Sequence, residues 1–275
     1  MSKATKANVD RDLIAVDVGC RWGFAEQFMD CLDSFKLYGF DPDEQECVRL
    51  AEKYSNNRIK LVPLALSDKE EEKTLYTTLE PACSSIFEPI EEITESYPGL
   101  GCAKKVSEGN IKVTTLLKWA GDNGVQYIDY LKVDTQGAEL SILKGAGDLL
   151  DSARVLEVEV EFNPIYKGQP LFSDVDTFLR DKGFVLWKLS HLVHYGMEGE
   201  GFLDLGDDLI HNDANSQKIK KYGGQLYWAD AHYVKKNMID STVLSKQQTR
   251  RDLELLKCLG FDDIVSRIND KLGVN

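Results

Sequence analysis

The sequence predicts an α/β protein built on a mostly parallel, doubly wound sheet. Three observations carry that expectation. Apolar runs of strand length alternate with helical patterns from Leu13 to Leu189, an order that sets strands parallel with helices on both faces. The first run, Leu13 to Val18, is apolar except for Asp17, as a strand buried on both faces should be. It leads into Asp17-Val18-Gly19-Cys20-Arg21-Trp22-Gly23. There glycine, lacking Cβ, lets backbone come close to a ligand at a helix N-terminus.

The elements follow in chain order. Met1 to Asp12 is polar and reads as a frayed terminus. Phe24 to Leu32 is the first helix, and Lys36 to Phe40 is a second strand closing on Asp41-Pro42. Asp43 to Tyr54 is helical, with Cys47, Leu50 and Tyr54 on one face. Ile59 to Leu66 is a third strand ended by Ser67-Asp68, and Lys73 to Thr78 is an extra strand. Leu79 to Val106 has no period and holds Pro81, Pro89, Pro98 and the pair Ser84-Ser85. So long an irregular stretch is usually functional. Val113 to Asn123 reads as a helix, Ile128 to Val133 as a fourth strand ending at Asp134, and Gly137 to Lys144 as the next helix. Arg154 to Phe162 is a fifth strand, and Asn163 to Phe172 is a second loop.

Ser173 to Lys182 is a helix with Ser173 as N-cap, stopped by Gly183. Phe184 to Leu189 is a sixth strand, His191 to Gly224 a long excursion, and Gln225 to Val234 a final alternating strand. Strand, excursion, strand favours a seventh strand running antiparallel. One domain then spans residues 13–235. Helices over Ser241 to Leu259 and Asp263 to Leu272 form a C-terminal extension, residues 241–272. Its stripe Ile264, Ile268, Leu272 either packs on the same domain or pairs two subunits as a homodimer.

Composition excludes several classes. Lys plus Arg is 33 against 46 for Asp plus Glu, a net charge of −13, which disfavours a nucleic-acid partner. No run reaches the roughly 20 apolar residues of a membrane span. The six cysteines have no C-x-x-C spacing and no histidines complete a zinc pattern. They read as reduced thiols of a cytoplasmic protein with no metal site.

Ligands of doubly wound sheets bind outside the carboxyl ends of the strands, and acids collect there: Asp17, Asp41, Asp68 and Asp134. Asp41 lies 18 residues after Gly23, where an acid accepts from ribose hydroxyls. Asp68 is placed to accept from an adenine amino group, and Arg21 to hold a carboxylate. NAD and S-adenosylmethionine (SAM) both fit this far. The loop has Gly19 and Gly23 only, which lacks the middle glycine of the NAD fingerprint.

The block Leu131-Lys132-Val133-Asp134-Thr135-Gln136-Gly137-Ala138-Glu139-Leu140-Ser141-Ile142-Leu143-Lys144-Gly145-Ala146 resembles the signature of the FkbM-type SAM-dependent methyltransferases. Asp17-Val18-Gly19, Phe40-Asp41-Pro42, Ala65-Leu66-Ser67-Asp68, Ser84-Ser85 and Glu157-Val158-Glu159 support it. The chain has Gly19-Cys20-Arg21 where such families often carry Gly-Ala-Asn, and Gln136 where many have Glu. The resemblance implies a Rossmann-like class I methyltransferase fold, a mostly parallel seven-stranded sheet with the last strand antiparallel. It also implies methyl transfer from SAM to a hydroxyl of a sugar or related small molecule. Asp17, Gly19, Arg21, Gly23, Asp41, Ser67, Asp68 and Asp134 are then the cofactor residues. An alcohol needs a base during attack. The candidates are Asp134, Glu139 and His191, with His194 close by. Ser84, Ser85, Glu159, Asn163 and Tyr166 are candidates for the acceptor. A SAM-binding scaffold without turnover is the alternative.

Overall fold

The apolar run read as the first strand forms β1 (Leu13–Val18), buried at every residue. The computed structural model describes residues 11–196, 203–204, 224–240 and 244–273. After β1 come α1 (Glu26–Asp30), β2 (Phe35–Phe40), α2 (Glu44–Tyr54), β3 (Ile59–Val62), β4 (Ala65–Leu66) and β5 (Glu71–Thr78). Then follow α3 (Glu91–Ser96), β6 (Lys105–Thr114), α4 (Leu116–Asp122), β7 (Tyr130–Val133), α5 (Glu139–Gly145) and β8 (Val155–Glu161). The chain closes with α6 (Phe172–Asp181), β9 (Phe184–Tyr195), β10 (Leu203–Asp204), β11 (Gln225–Lys235), α7 (Lys236–Ile239), α8 (Lys246–Cys258) and α9 (Asp262–Leu272).

The main sheet has the order β3-β2-β1-β7-β8-β11-β9-β10. β3, β2, β1, β7 and β8 pair in parallel. β11 pairs antiparallel with both β8 and β9. The predicted Rossmann-like sheet with its reversed last strand is therefore present. The reversed strand is inserted between β8 and β9, and the two-residue β10 adds an eighth strand. Strand order switches direction at β1 and β7, which opens a crevice at their carboxyl ends.

Four elements differ from the sequence reading. The third strand breaks at Pro63, which has no N–H to give to a ladder. β3 stays in the main sheet, while β4 joins a second sheet of order β4-β6-β5. The stretch read partly as loop and partly as helix contains β6, and α4 starts only after Thr115, whose side chain accepts from Lys118 N at 3.0 Å. Leu171, not Ser173, is the N-cap of α6, and Asp174 accepts from Leu171 N at 2.9 Å. β9 runs to Tyr195, so His191 and His194 lie in a strand. Trp228 pairs with Val193 and Asp230 with Ser190. Three steps along β9 thus match two along β11, a bulge at His191 and Leu192, and His191 has φ +50.

Each face of the main sheet has its own core. Val16, Val18, Leu131, Val133, Leu156 and Val158 pack with residues of α4, α5 and α6. Leu13, Ala15, Phe35, Leu37, Tyr130 and Val155 pack with Leu255, Leu256, Ile264, Val265 and Ile268 of α8 and α9. The C-terminal stripe is thus spent largely on its own sheet. Buried ion pairs latch α8 in place. Arg154 donates to both oxygens of Asp252 at 2.9 and 2.7 Å. Arg251 reaches Asp129 at 3.2 Å and Arg11 O at 2.6 Å. Arg11 and Asp12 are therefore fastened to the body; the rest of the segment read as frayed lies outside the described residues. Among the described residues no helix is long and apolar enough to cross a membrane.

Candidate active site

A cavity of about 790 Å³ opens at the carboxyl ends of β1, β2, β7 and β8 and the amino-terminal half of the antiparallel β11. Leu75 and Thr77 of β5 and Ile111 of β6 form one wall, so the second sheet roofs the crevice.

The glycine loop works by close approach. Gly19 has φ +90, and a Cβ there would lie 1.8 Å from the Asp134 carbonyl oxygen. The N–H groups of Gly19 and Cys20 both donate to Phe40 O, at 2.9 and 3.1 Å, so those two donors are spent inside the fold. Gly19, Arg21 and Trp22 line the cavity, and Arg21 donates to Asp43 at 3.3 Å. Cys20 is buried; its Sγ would lie 2.7 Å from a Cβ at Gly39. Gly23 does not line the cavity. Its φ of +93 and the Tyr54 hydroxyl, 2.2 Å from a hypothetical Cβ, mark it as a packing glycine.

Asp41 closes β2 on the cavity wall and accepts from Asp43 N at 2.8 Å. Burial raises its pKa, opposed by that N–H and by Arg21. Its other oxygen makes no hydrogen bond among the described residues and is available to ligand hydroxyls. Ser67 is fully buried, and its hydroxyl donates to Asp68 at 3.1 Å. A Cβ at Gly145 would meet Ser67 O at 2.0 Å. Neither Ser67 nor Asp68 lines the cavity, whereas Leu66 does.

A row of charge runs under the cavity, and of its members Lys132 and Glu157 line the wall whereas Asp17 does not. Asp17, Lys132, Glu157 and His232 are cross-strand neighbours in register. Lys132 Nζ lies 2.9 Å from Asp134 Oδ2. Burial works against this ammonium, yet Asp134 and Asp17 outweigh it and hold its pKa well above the usual lysine value. Burial pushes Asp17 up to about 7; Lys132 opposes, while Asp134 and Glu157 add to the rise. Asp17 Oδ1 is buried with no hydrogen-bond partner. A carboxyl with a raised folded pKa binds more protons folded than unfolded, so its folding free energy weakens as pH climbs from its ordinary 3.8 to about 7. Asp17→Asn is free of that effect. Its advantage in unfolding free energy over the parent is expected to widen by about 2–3 kcal/mol between pH 5 and 8. Denaturant melts at both pH values check this; a constant gap would contradict it.

Glu139 accepts from Thr135 N at 2.7 Å, Thr135 Oγ1 at 3.0 Å and Gly137 N at 3.2 Å. It shapes the loop after β7 from behind and does not line the cavity. Burial pushes its pKa up to about 7, against those donors. Gln136 sits at φ +59 on that loop. Its amide donates to Glu159 at 2.9 Å, its side-chain oxygen accepts from Tyr166 OH at 2.9 Å, and its carbonyl accepts from Ser85 Oγ at 2.6 Å. Ser85, Glu159 and Tyr166 thus converge on one residue, and of the three Ser85 and Glu159 line the cavity. Ser84 lines the cavity too, and its Oγ accepts from Thr78 N at 3.2 Å. Asn163 is turned to Leu226 O at 2.7 Å and does not line the cavity.

His191 and Asp230 face the cavity together, with His191 Nδ1 2.8 Å from Asp230 Oδ2. His194 is not on the wall; its Nδ1 lies 3.4 Å from Gly224 O. Asp230, Trp228 and Gln136 were not among the sequence candidates. For Asp230 a signal existed: Trp228, Asp230 and His232 alternate along a strand and share one face. Among the described residues no group of three His, Cys, Asp or Glu side chains is placed to hold a metal.

The family described as Methyltransferase FkbM domain matches residues 12–186, well over half of the chain. The chain belongs to the FkbM methyltransferase family. It is a SAM-dependent methyltransferase, and the site suits that cofactor, since Gly19 leaves room where any Cβ would strike backbone and Asp41 keeps an acceptor for ribose. This FkbM-family chain is 26% identical over 171 residues to the 2-O-methyltransferase NoeI of Sinorhizobium fredii, covering 60% of this chain and 70% of that one. Among solved structures, M. capricolum TrmK with S-adenosylhomocysteine aligns over 96% of this chain and 93% of its own at TM-score 0.39 and 9% identity. A SAM-dependent methyltransferase from Aquifex aeolicus aligns over 83% and 85% at TM-score 0.34 and 11% identity. At those scores neither adds to the assignment. The family match ends before His191, Asp230 and the C-terminal helices.

Proposed function

We propose that this enzyme methylates a hydroxyl of a sugar or similar polyol, with His191 as general base. The observation that carries the reading is the His191–Asp230 pair on the same cavity as Gly19, Asp41 and Asp134. When bound, SAM supplies an already activated methyl group, so the chain's task is alignment and proton removal. Asp230 accepts from His191 Nδ1, which fixes the tautomer and makes Nε2 the proton acceptor. Asp134, tied to Lys132, places negative charge beside the glycine loop, where it favours a cationic cofactor. Asp41 accepts from the ribose, and Glu159, held by Gln136, accepts from acceptor hydroxyls. Relatedness to a 2-O-methyltransferase supports the oxygen acceptor.

The described cysteines are all free, which supports a cytoplasmic protein. The acidic balance supports a small-molecule acceptor over nucleic acid. The C-terminal stripe covers the chain's own sheet, so a homodimer would use another surface.

Transfer from labelled SAM to a sugar panel tests the reading. His191→Ala is expected to lower kcat by about 10²–10³-fold with SAM affinity unchanged, and Asp230→Asn by about 10-fold. Full turnover in His191→Ala would remove the base assignment.

A further inference from the structure

We infer that the acceptor is a sugar free of phosphate, neutral or amine-bearing, and not a sugar phosphate or nucleotide-activated sugar. This rests on the methyl-transfer reading and narrows its substrate.

The charge on the cavity wall carries the inference. Six carboxylates line it: Asp41, Asp43, Asp134, Glu157, Glu159 and Asp230. Among the described lining residues the permanent cations are Arg21 and Lys132, and each is already bound to a carboxylate, at 3.3 and 2.9 Å. Lys132 also lies between Asp17 and Glu157 in the sheet row. Its charge is therefore shared among several acids.

The acceptor half of the cavity is the more one-sided. Glu159 and Asp230 are cross-strand partners, and Asp134 stands one residue beyond Val133, the partner of Val158. Three acids thus occupy one row at the rim. The donors that reach this row are the neutral Gln136 amide on Glu159, His191 on Asp230 and Lys132 on Asp134. Burial, with Asp134 and Glu161 nearby, holds the Glu159 carboxyl well above its usual range, so this row already resists the negative charge it has and a further anion beside it would be resisted more.

Such a wall accepts hydrogen bonds and repels anions. Sugar hydroxyls donate to carboxylates, and an ammonium would be attracted. A phosphate monoester or diphosphate would bring further negative charge beside acids and find no uncommitted lysine or arginine among the described lining residues. Like charges brought together at close range lose affinity steeply. The cofactor's sulfonium offsets one carboxylate and leaves the rest.

The test has two arms. In the first, kcat/KM for labelled methyl transfer is measured for galactose, glucosamine and glucose, each beside its phosphate ester, and for glucose beside UDP-glucose. The free sugars are expected to exceed the phosphorylated partners by at least about 100-fold. A phosphorylated sugar as the best acceptor would overturn the inference and leave methyl transfer intact. The second arm needs no turnover. Pyrophosphate is titrated calorimetrically into the protein loaded with S-adenosylhomocysteine, and no binding is expected up to about 10 mM. Submillimolar pyrophosphate binding that excludes the sugars would overturn the inference. Absence of SAM binding to the unloaded protein would instead strike the reading on which it rests.

Discussion

Gly19→Ala is expected to weaken SAM binding by at least about 100-fold while leaving a folded protein. The new methyl group would lie 1.8 Å from the Asp134 oxygen and 2.9 Å from its carbonyl carbon. Both are backbone atoms, so no side-chain rotation relieves the clash. The loop cannot swing away cheaply, because Gly19 N and Cys20 N are bonded to Phe40 O. β7 cannot recede cheaply either, because Asp134 N donates to Val18 O at 2.9 Å. The backbone at φ +90 adds about 1–3 kcal/mol of strain for a residue with a side chain. A melting temperature lower by several degrees follows from that strain, at about 2–4 °C per kcal/mol for a chain of this size. The loop and the Asp134 strand end must therefore part at the cavity wall, where the proposed reading seats the cofactor. Calorimetry with SAM on the variant measures the loss. Gly109→Ala is the control: it sits on β6 with open space around it and should bind SAM as the parent does. Parental affinity in Gly19→Ala would mean that the cofactor does not depend on this contact.

That contact also shows which parts of the fold were readable beforehand. β1, Gly19, Asp41 and the block from Leu131 were legible because their constraints are local. An apolar run must be buried, and a turn residue at positive φ favours glycine. Glu139 was half legible: its position near a helix start is a sequence fact, but its bonds to Thr135 and Gly137 turn it into a brace for the loop. β6 was not legible, because Lys105, Ser107, Glu108 and Asn110 are exposed on a strand that buries little. Its strand character comes from pairing with β5 across a long connection, residues 79–104, that contains α3. The His191–Asp230 pair was hidden for another reason. The partners are 39 residues apart, and a bulge brings His191 to the cavity where straight alternation gives no such placement. Ser67 and Asp68 show the converse, a motif in the expected order of which neither side chain lines the cavity: Ser67 is buried and Asp68 is exposed.

The latch at the other end of the sheet predicts the largest loss of stability. Asp252 of α8 is almost completely buried and takes two hydrogen bonds from Arg154. The pair joins a helix beyond the family match to the residue that precedes β8. Asp252→Ala would leave the Arg154 guanidinium buried at 9% side-chain exposure without its counter-ion. Removing one member of such a pair costs about 3–5 kcal/mol, equivalent to a melting temperature lower by roughly 6–20 °C. The neighbouring latch softens nothing, since Arg251 already serves Asp129 and the Arg11 carbonyl. The double variant Arg154→Met with Asp252→Leu should recover most of the loss, because it removes both charges and refills the space. Double-mutant thermal melts therefore separate a stabilising pair from an unpaired-charge penalty. Recovery in the double variant would show that the ion pair serves as a register pin for α8 against the sheet more than as a source of net stability. α8 and α9 cover the sheet face that carries Asp17, Lys132 and Glu157 towards its rim. The double variant should thus keep SAM affinity as well as its fold, whereas Asp252→Ala should lose both together near its melting point.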